Sequence, residues 1–286
     1  GRRDSLWSQA LIPLEASNEM ASSRVAAVRL VQSSPDYRKR YQALFGPLPD
    51  LDGNALPEHA APIGDTARQN AWYRLPSQTQ QQINTVFANL GKALGAFQRT
   101  IELPETRFDR FVAALNQEDW EQAKKLVSSE ELEGIKLYID DQRTQCLRCH
   151  SGPLLSNGGF HNIGTGRFSG ELMDFGRVFG LQAVLMDEFN CLGNYSDAEA
   201  DQCYALNHVS QDAHQVLQGA FKTPTLRYLG ETAPYFHDGR FSSLEEVIDY
   251  YQSPPETGPN QLHELQPLNL TDDEKKALIA FLEMLN

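Results

Sequence analysis

Apolar residues recur at helical spacing along much of the chain. Ile83, Val86, Phe87, Leu90, Leu94, Phe97 and Ile101 fall on one face, which predicts an amphipathic helix over residues 78–101. Behind a cap at Ser128 or Ser129, Leu132, Ile135, Tyr138 and Ile139 form a second stripe that runs almost into Cys146. A third helix starts at Ser242 or Ser243 in SSLEEVIDYYQ, where Leu244, Val247, Ile248 and Tyr251 share a face. This spacing turns Tyr251 inward and Tyr250 away. The last helix opens on Thr271 and Glu274, a capping-box pair ahead of Leu278, Ile279, Phe281, Leu282 and Leu285. No strongly alternating strand set and no internal repeat is visible. The expectation is an all-α fold with long irregular segments at 46–77, 151–176 and 252–269. Loops of this length in a compact chain wrap something or carry function, so a large ligand is expected to replace part of the core.

Composition narrows the possibilities. With 286 residues, 41% of them hydrophobic, the chain can fill one large core or two ordinary ones. No run approaches the roughly 18 uninterrupted apolar residues of a membrane-spanning helix, and the opening residues lack the apolar centre of a signal peptide. A formal net charge of −13 excludes nucleic acid and anionic membrane surfaces as natural partners. Small molecules and other proteins remain. The proline-rich connector FGPLPDLDGNALPEHAAPIGD separates residues 1–75 from 76–286, and the second stretch reads as one domain.

The four cysteines form a loose pair and a tight pair. Cys191 and Cys203 flank CLGNYSDAEADQC, a loop of the size that a disulfide closes, with a contribution of about 3 kcal/mol in the chain-entropy model. Such a bond belongs to an oxidising compartment; two unrelated thiols are the alternative. In QCLRCHSG, one helical turn puts Cys146, Cys149 and His150 on one face. That suits a covalently attached haem, whose vinyl groups take two thiols while an imidazole reaches the iron from the same side. A zinc site needs two further ligands at sensible spacing. A redox dithiol needs a strand leading into a helix. The motif instead follows a helix, which favours haem c, and covalent haem implies export.

CLRCHSG, GGFHNIGTG, FKTPTLRYLGETAPYFHDGRFSSLEEVIDYY and PLNLTDDEKKALIAFLEML together resemble the bacterial di-haem cytochrome c peroxidase and MauG family. The resemblance covers most of the chain. It implies cytochrome c-like haem domains, a periplasmic location, hydrogen peroxide as oxidant, and a protein substrate or electron-donor protein as partner. Family members carry two attachment motifs, and this chain has one. The opening GRRDSLWSQALIPLEASNEM resembles the part of the N-terminal haem domain that follows that domain's own motif. Residues 1–75 are therefore expected to be the C-terminal part of a domain whose start and haem lie upstream, and 76–286 the C-terminal haem domain. A naturally single-haem relative is the rival.

The family's peroxide-reactive positions correspond to Gln9, Pro13 and Glu19, with Glu19 as the acid–base group; by residue type alone Glu19 is an ordinary surface carboxylate. Ala21 stands where the family usually has glycine. Tyr251 matches the second axial position of the Cys146–Cys149 haem, methionine in the classical peroxidases and tyrosine in MauG-like members. A tyrosinate stabilises high oxidation states more than a thioether does. This implies a MauG-like enzyme that oxidises aromatic residues on a partner protein. A peroxide-detoxifying cytochrome c peroxidase and an electron-carrier cytochrome are the alternatives, and Met173 and Met186 are the substitute ligands should Tyr251 be a plain core residue. Thr232 and Pro234 match positions whose backbone oxygens hold calcium between the haem domains; a simple turn is the alternative. His161 is either a haem-propionate neighbour or a structural loop histidine, and His237 with Asp238 reads as a turn unit.

Overall fold

A computed structural model describes residues 1–52, 55–166, 174–209, 217–256 and 263–286. Met173 and parts of the segments 151–176 and 252–269 lie outside these. In chain order the helices are α1 (Leu6–Glu15), α2 (Arg24–Ser33), α3 (Pro35–Phe45), α4 (Thr66–Tyr73), α5 (Ser77–Gln98) and α6 (Arg107–Asn116). They continue with α7 (Trp120–Leu126), α8 (Ser129–Ile139), α9 (Arg177–Leu185), α10 (Tyr204–Asn207), α11 (Leu244–Gln252) and α12 (Asp272–Glu283). Two-residue strands β1 (Phe160–His161) and β2 (Phe221–Lys222) pair antiparallel, His161 opposite Phe221. The chain is mostly helical, and among the described residues no helix is long and apolar enough to cross a membrane.

Contacts divide the chain into two units. An N-terminal unit holds Arg2–Glu102 with Gly180–Val209, and a C-terminal unit holds Gly1, Leu103–Phe179 and Ser210–Asn286. The division falls after Glu102, since α5 packs on α1 and α2.

In the N-terminal unit, Ser5, Ser23, Ser34 and Asp65 each accept a backbone N–H of the helix they precede. The helix α4 lies inside the stretch 46–77 that was expected to be irregular. Its N-cap Asp65 ends the proline-rich connector. The core gathers Val25, Val28, Val31, Trp72, Ile83 and Val86. Helices α1 and α5 touch backbone to backbone: a Cβ at Gly91 would sit 2.6 Å from the Trp7 carbonyl oxygen. Helix α1 begins at Leu6, next to Trp7 at Gly95, so nothing in it covers the far end of α5. Phe97 and Ile101 are accordingly 64% and 61% exposed, contrary to the single buried stripe expected.

In the C-terminal unit, α6, α8, α11 and α12 all open with complete capping boxes, on Thr106, Ser128, Ser243 and Thr271. Leu137, Tyr138, Leu244, Ile248, Leu278 and Phe281 form the centre of its core. The close approach of α8 to α12 is set by Gly134, where a Cβ would meet the Ala277 carbonyl oxygen at 2.0 Å. The buried face of α8 is therefore Glu131, Gly134, Leu137 and Tyr138, while Leu132 and Ile139 of the expected stripe are exposed.

Candidate functional site

After α8 the chain turns through Asp140–Gln145, where the Thr144 hydroxyl donates to the Leu137 carbonyl at 2.6 Å. It then makes a single turn that begins as 3₁₀ at Cys146–Arg148. Cys149 and His150 both donate backbone N–H groups to the Cys146 carbonyl, at 3.3 and 2.9 Å. Neither cysteine is in a disulfide. Their pKa values are raised, chiefly by burial. A redox dithiol needs the opposite shift, since the thiolate is the nucleophile. Zinc fares no better: Cys191 and Cys203 are bonded to each other, and the described residues contain no cluster of three or more His, Cys, Asp or Glu poised for a metal.

The His150 ring is aimed by its surroundings. Its Nδ1 lies 3.1 Å from the Leu155 carbonyl oxygen, and the Tyr138 hydroxyl donates to the His150 carbonyl. Burial lowers the imidazole pKa and so favours the neutral form, against the raising effect of the Leu155 and Pro224 carbonyls. A neutral ring that gives its Nδ1–H to a carbonyl presents Nε2 as the ligand nitrogen.

Tyr251 lies in the last turn of α11. Burial is the main cause that raises its phenol pKa, and its ring lies against those of Phe236 and Tyr250. Tyr250 behaves differently. Its hydroxyl donates to the Ile163 carbonyl at 2.7 Å, its ring packs on Phe236 and Phe241, and burial pushes its pKa up to about 12. Of the substitute methionines, Met186 is 87% exposed in the N-terminal unit. Two thiols and an imidazole with Nδ1 spent, all on one turn, together with the Tyr251 phenol in a helix of the same unit, are a donor set that fits haem c.

The TPTLR segment buttresses this turn. Thr223 N–H donates to the Gly159 carbonyl at 2.9 Å, Thr225 Oγ1 to Leu154 at 2.6 Å, and Arg227 Nε to Pro153 at 2.6 Å. Alternate residues of an extended segment thus bind the loop that follows His150. Both nitrogens of His161 are engaged by protein, Nδ1 with Glu264 at 2.7 Å and Nε2 with the Asn157 amide at 3.0 Å, which makes it a structural loop histidine. His237 stacks on Phe221 with ring centres 3.6 Å apart, and Asp238 pairs with Arg240. Thr232 and Pro234 are exposed, and the Thr232 hydroxyl donates to the Leu229 carbonyl at 3.2 Å.

In the N-terminal unit, Gln9 and Pro13 are one turn apart on α1. Pro13 has no N–H for the Gln9 carbonyl, the acceptor it would otherwise bond in the helix. Glu19 is exposed in the turn after α1, its N–H bonded to the Ala16 carbonyl at 3.1 Å. Ala21 takes the left-handed φ of 49°, the conformation that glycine supplies at least cost. The ends of this loop are joined by a buried pair that the sequence reading missed. Glu15, the last residue of α1, accepts Arg24 backbone N–H at 2.9 Å, Nε at 3.0 Å and Nη2 at 2.9 Å. Arg24 Nη1 continues to Asn84 and Glu188 at 2.7 and 2.6 Å, beneath the rings of Trp72, Phe87 and Phe189. A cavity of about 330 Å³ opens beside this pair; Glu19 is not part of its wall. Nothing local in the sequence announces the pairing, since Glu188 is far along the chain.

Comparisons with known proteins identify the family. The family described as di-haem cytochrome c peroxidase matches residues 1–117. The methylamine utilization protein MauG of Methylorubrum extorquens is 28% identical over 285 residues, covering all of this chain and 59% of that protein. The cytochrome-c peroxidase IdrP1 of Denitromonas iodatirespirans is 32% identical over 198 residues, covering 68% of this chain and 48% of the relative. The crystal structure of the di-haem peroxidase BthA from Burkholderia thailandensis shares the fold, with a TM-score of 0.61 at 18% identity over all of this chain and 64% of that one. The chain thus spans about half to two thirds of the relatives it matches. It belongs to the di-haem cytochrome c peroxidase and MauG family of haem-dependent peroxidases.

Proposed function

We propose that this chain belongs to a MauG-like di-haem oxidoreductase that uses hydrogen peroxide to oxidise aromatic residues on a partner protein. The observation that carries the reading is Tyr251, a half-buried phenol in the last turn of α11, where a classical peroxidase of the family has methionine. Cys146 and Cys149 would hold one haem c covalently, with His150 and Tyr251 as the residues that would ligate its iron. Bound there, the haem supplies one-electron redox chemistry at iron.

The protein's own groups do the rest. Leu155 fixes the His150 tautomer. The apolar setting of Tyr251 disfavours a bare phenolate, so a phenolate there depends on an adjacent cation. Glu19, near Gln9 and Pro13 in sequence and exposed, moves the peroxide proton. Thr232 and Pro234 offer carbonyl oxygens of the kind a calcium ion takes. The Cys191–Cys203 bond is in keeping with a periplasmic protein.

A second reading is a cytochrome c peroxidase fed by a small electron-donor protein; the 32% identity to such a peroxidase favours it. One experiment separates the two. Peroxide is added to the full-length, haem-loaded protein without reductant, and the spectrum is followed. A long-lived oxidised spectrum supports the MauG-like reading; turnover only with a reduced donor cytochrome supports the other. In the first case Tyr251→Phe abolishes the His/Tyr low-spin signal in electron paramagnetic resonance, and Glu19→Gln slows the peroxide reaction by about a hundredfold or more. An unchanged signal in Tyr251→Phe overturns the ligand assignment.

A further inference from the structure

Three successive carbonyls follow the Cys146–His150 turn, and each has its own donor. Arg227 Nε donates to Pro153 at 2.6 Å, Thr225 Oγ1 to Leu154 at 2.6 Å, and His150 Nδ1 faces Leu155 at 3.1 Å. Leu155 is buried and left-handed, with φ 49°. A leucine keeps that conformation only where its surroundings over-determine it. Here it reverses the chain direction immediately beside the imidazole.

The donors on this loop are themselves anchored. The Arg227 fork meets both oxygens of Asp109, Nη1 to Oδ2 at 2.8 Å and Nη2 to Oδ1 at 2.7 Å. That carboxylate also accepts the backbone N–H and hydroxyl of Thr106, at 2.9 and 2.8 Å, in the capping box of α6. A rigid helix start therefore reaches, through one guanidinium, the loop that carries the acceptor for His150. Thr225 adds a second tie one residue closer to that acceptor.

We propose that Asp109, Arg227 and Thr225 are positioning residues that hold the Leu155 carbonyl on His150 Nδ1, and so set the basicity of His150 as an iron ligand. This rests on the assignment of haem c to Cys146 and Cys149. A carbonyl that accepts Nδ1–H makes the imidazole a stronger donor, which favours the oxidised metal. Loosening the loop raises the reduction potential of this haem.

The test uses the full-length, haem-loaded protein, with potentiometric titration and electron paramagnetic resonance of the ferric state. Thr225→Val, close to isosteric and leaving the Asp109–Arg227 fork intact, shifts the midpoint potential of the Cys146–Cys149 haem upward and moves its g-values. Arg227→Lys, which keeps the charge and loses the fork, does the same, and Thr225→Ser restores the wild-type values. A potential and g-values unmoved in both Thr225→Val and Arg227→Lys, with haem staining at the wild-type level, overturn the positioning role alone. A wild-type chain without covalent haem at these cysteines overturns the cofactor assignment as well.

Discussion

Arg24 is the residue on which most interactions of the N-terminal unit converge. It is 4% exposed, as is Glu15, so neither charge has water to fall back on. Two carboxylates, one amide and three aromatic faces replace the hydration of its guanidinium. Removing one partner of such a pair leaves an uncompensated buried charge, which costs about 3–5 kcal/mol, more than most single contacts. Arg24→Met is therefore expected to lower the unfolding free energy by about that amount, read from urea denaturation followed by amide exchange in α1 and α2. Replacing Glu15, Arg24 and Glu188 together by apolar residues of similar volume is expected to recover much of the loss; no recovery would show that the pair does more than satisfy its own charges. Because Glu15 and Arg24 close the loop that carries Glu19, the same variants should also broaden the conformations of that loop.

The same logic scales to the contact between elements. Helices α8 and α12 meet at Gly134, where any side chain collides with a backbone oxygen of α12. Backbone cannot rotate aside as a flexible side chain can, so Gly134→Ala is expected to destabilise the C-terminal unit by about 3 kcal/mol, measured as a fall in the urea midpoint. Helix α6 depends on a charge instead. Arg227, followed by the Thr106 groups, lowers the Asp109 pKa to about 2. A folded pKa below the unfolded value of about 4 gives stability that is present at higher pH and is lost as pH falls from there toward 2. The difference in stability between wild type and Asp109→Asn should accordingly shrink over that interval. A difference that stays constant with pH would mean the Asp109 charge is not what matters. These elements also show how far sequence carries. The starts of α8, α11 and α12 were legible because a cap and its partner lie within four residues of each other. The Cys146–His150 turn was legible because its two thiols and its imidazole lie within five residues of one another. The Asp109–Arg227 fork and the Glu15–Arg24–Glu188 cluster were not, because their members are brought together only by the fold. The face of α8 was misread for a related reason: its contact centre is a glycine, which no hydrophobic pattern marks.

At the scale of the whole molecule, the two units have separate cores, and the disulfide lies in the N-terminal one. Cys191–Cys203 closes its loop within the inserted segment Gly180–Val209, where the Cys191 N–H also donates to Asp4 at 2.6 Å and Lys92 pairs with Asp197. This segment supplies Glu188 to the Arg24 cluster and Phe189 to the rings above it. The disulfide therefore stabilises the insertion on which the buried charges depend. A loop with a sequence separation of 12 contributes about 3 kcal/mol in the chain-entropy model. Cys191→Ser with Cys203→Ser is expected to lose about that much, as faster amide exchange in α1, α2 and α5. Exchange in α8 and α12, whose core contains none of these residues, should stay at the wild-type rate. Equal acceleration in both units would mean that they unfold as one cooperative block, and the separate cores would then have no thermodynamic counterpart.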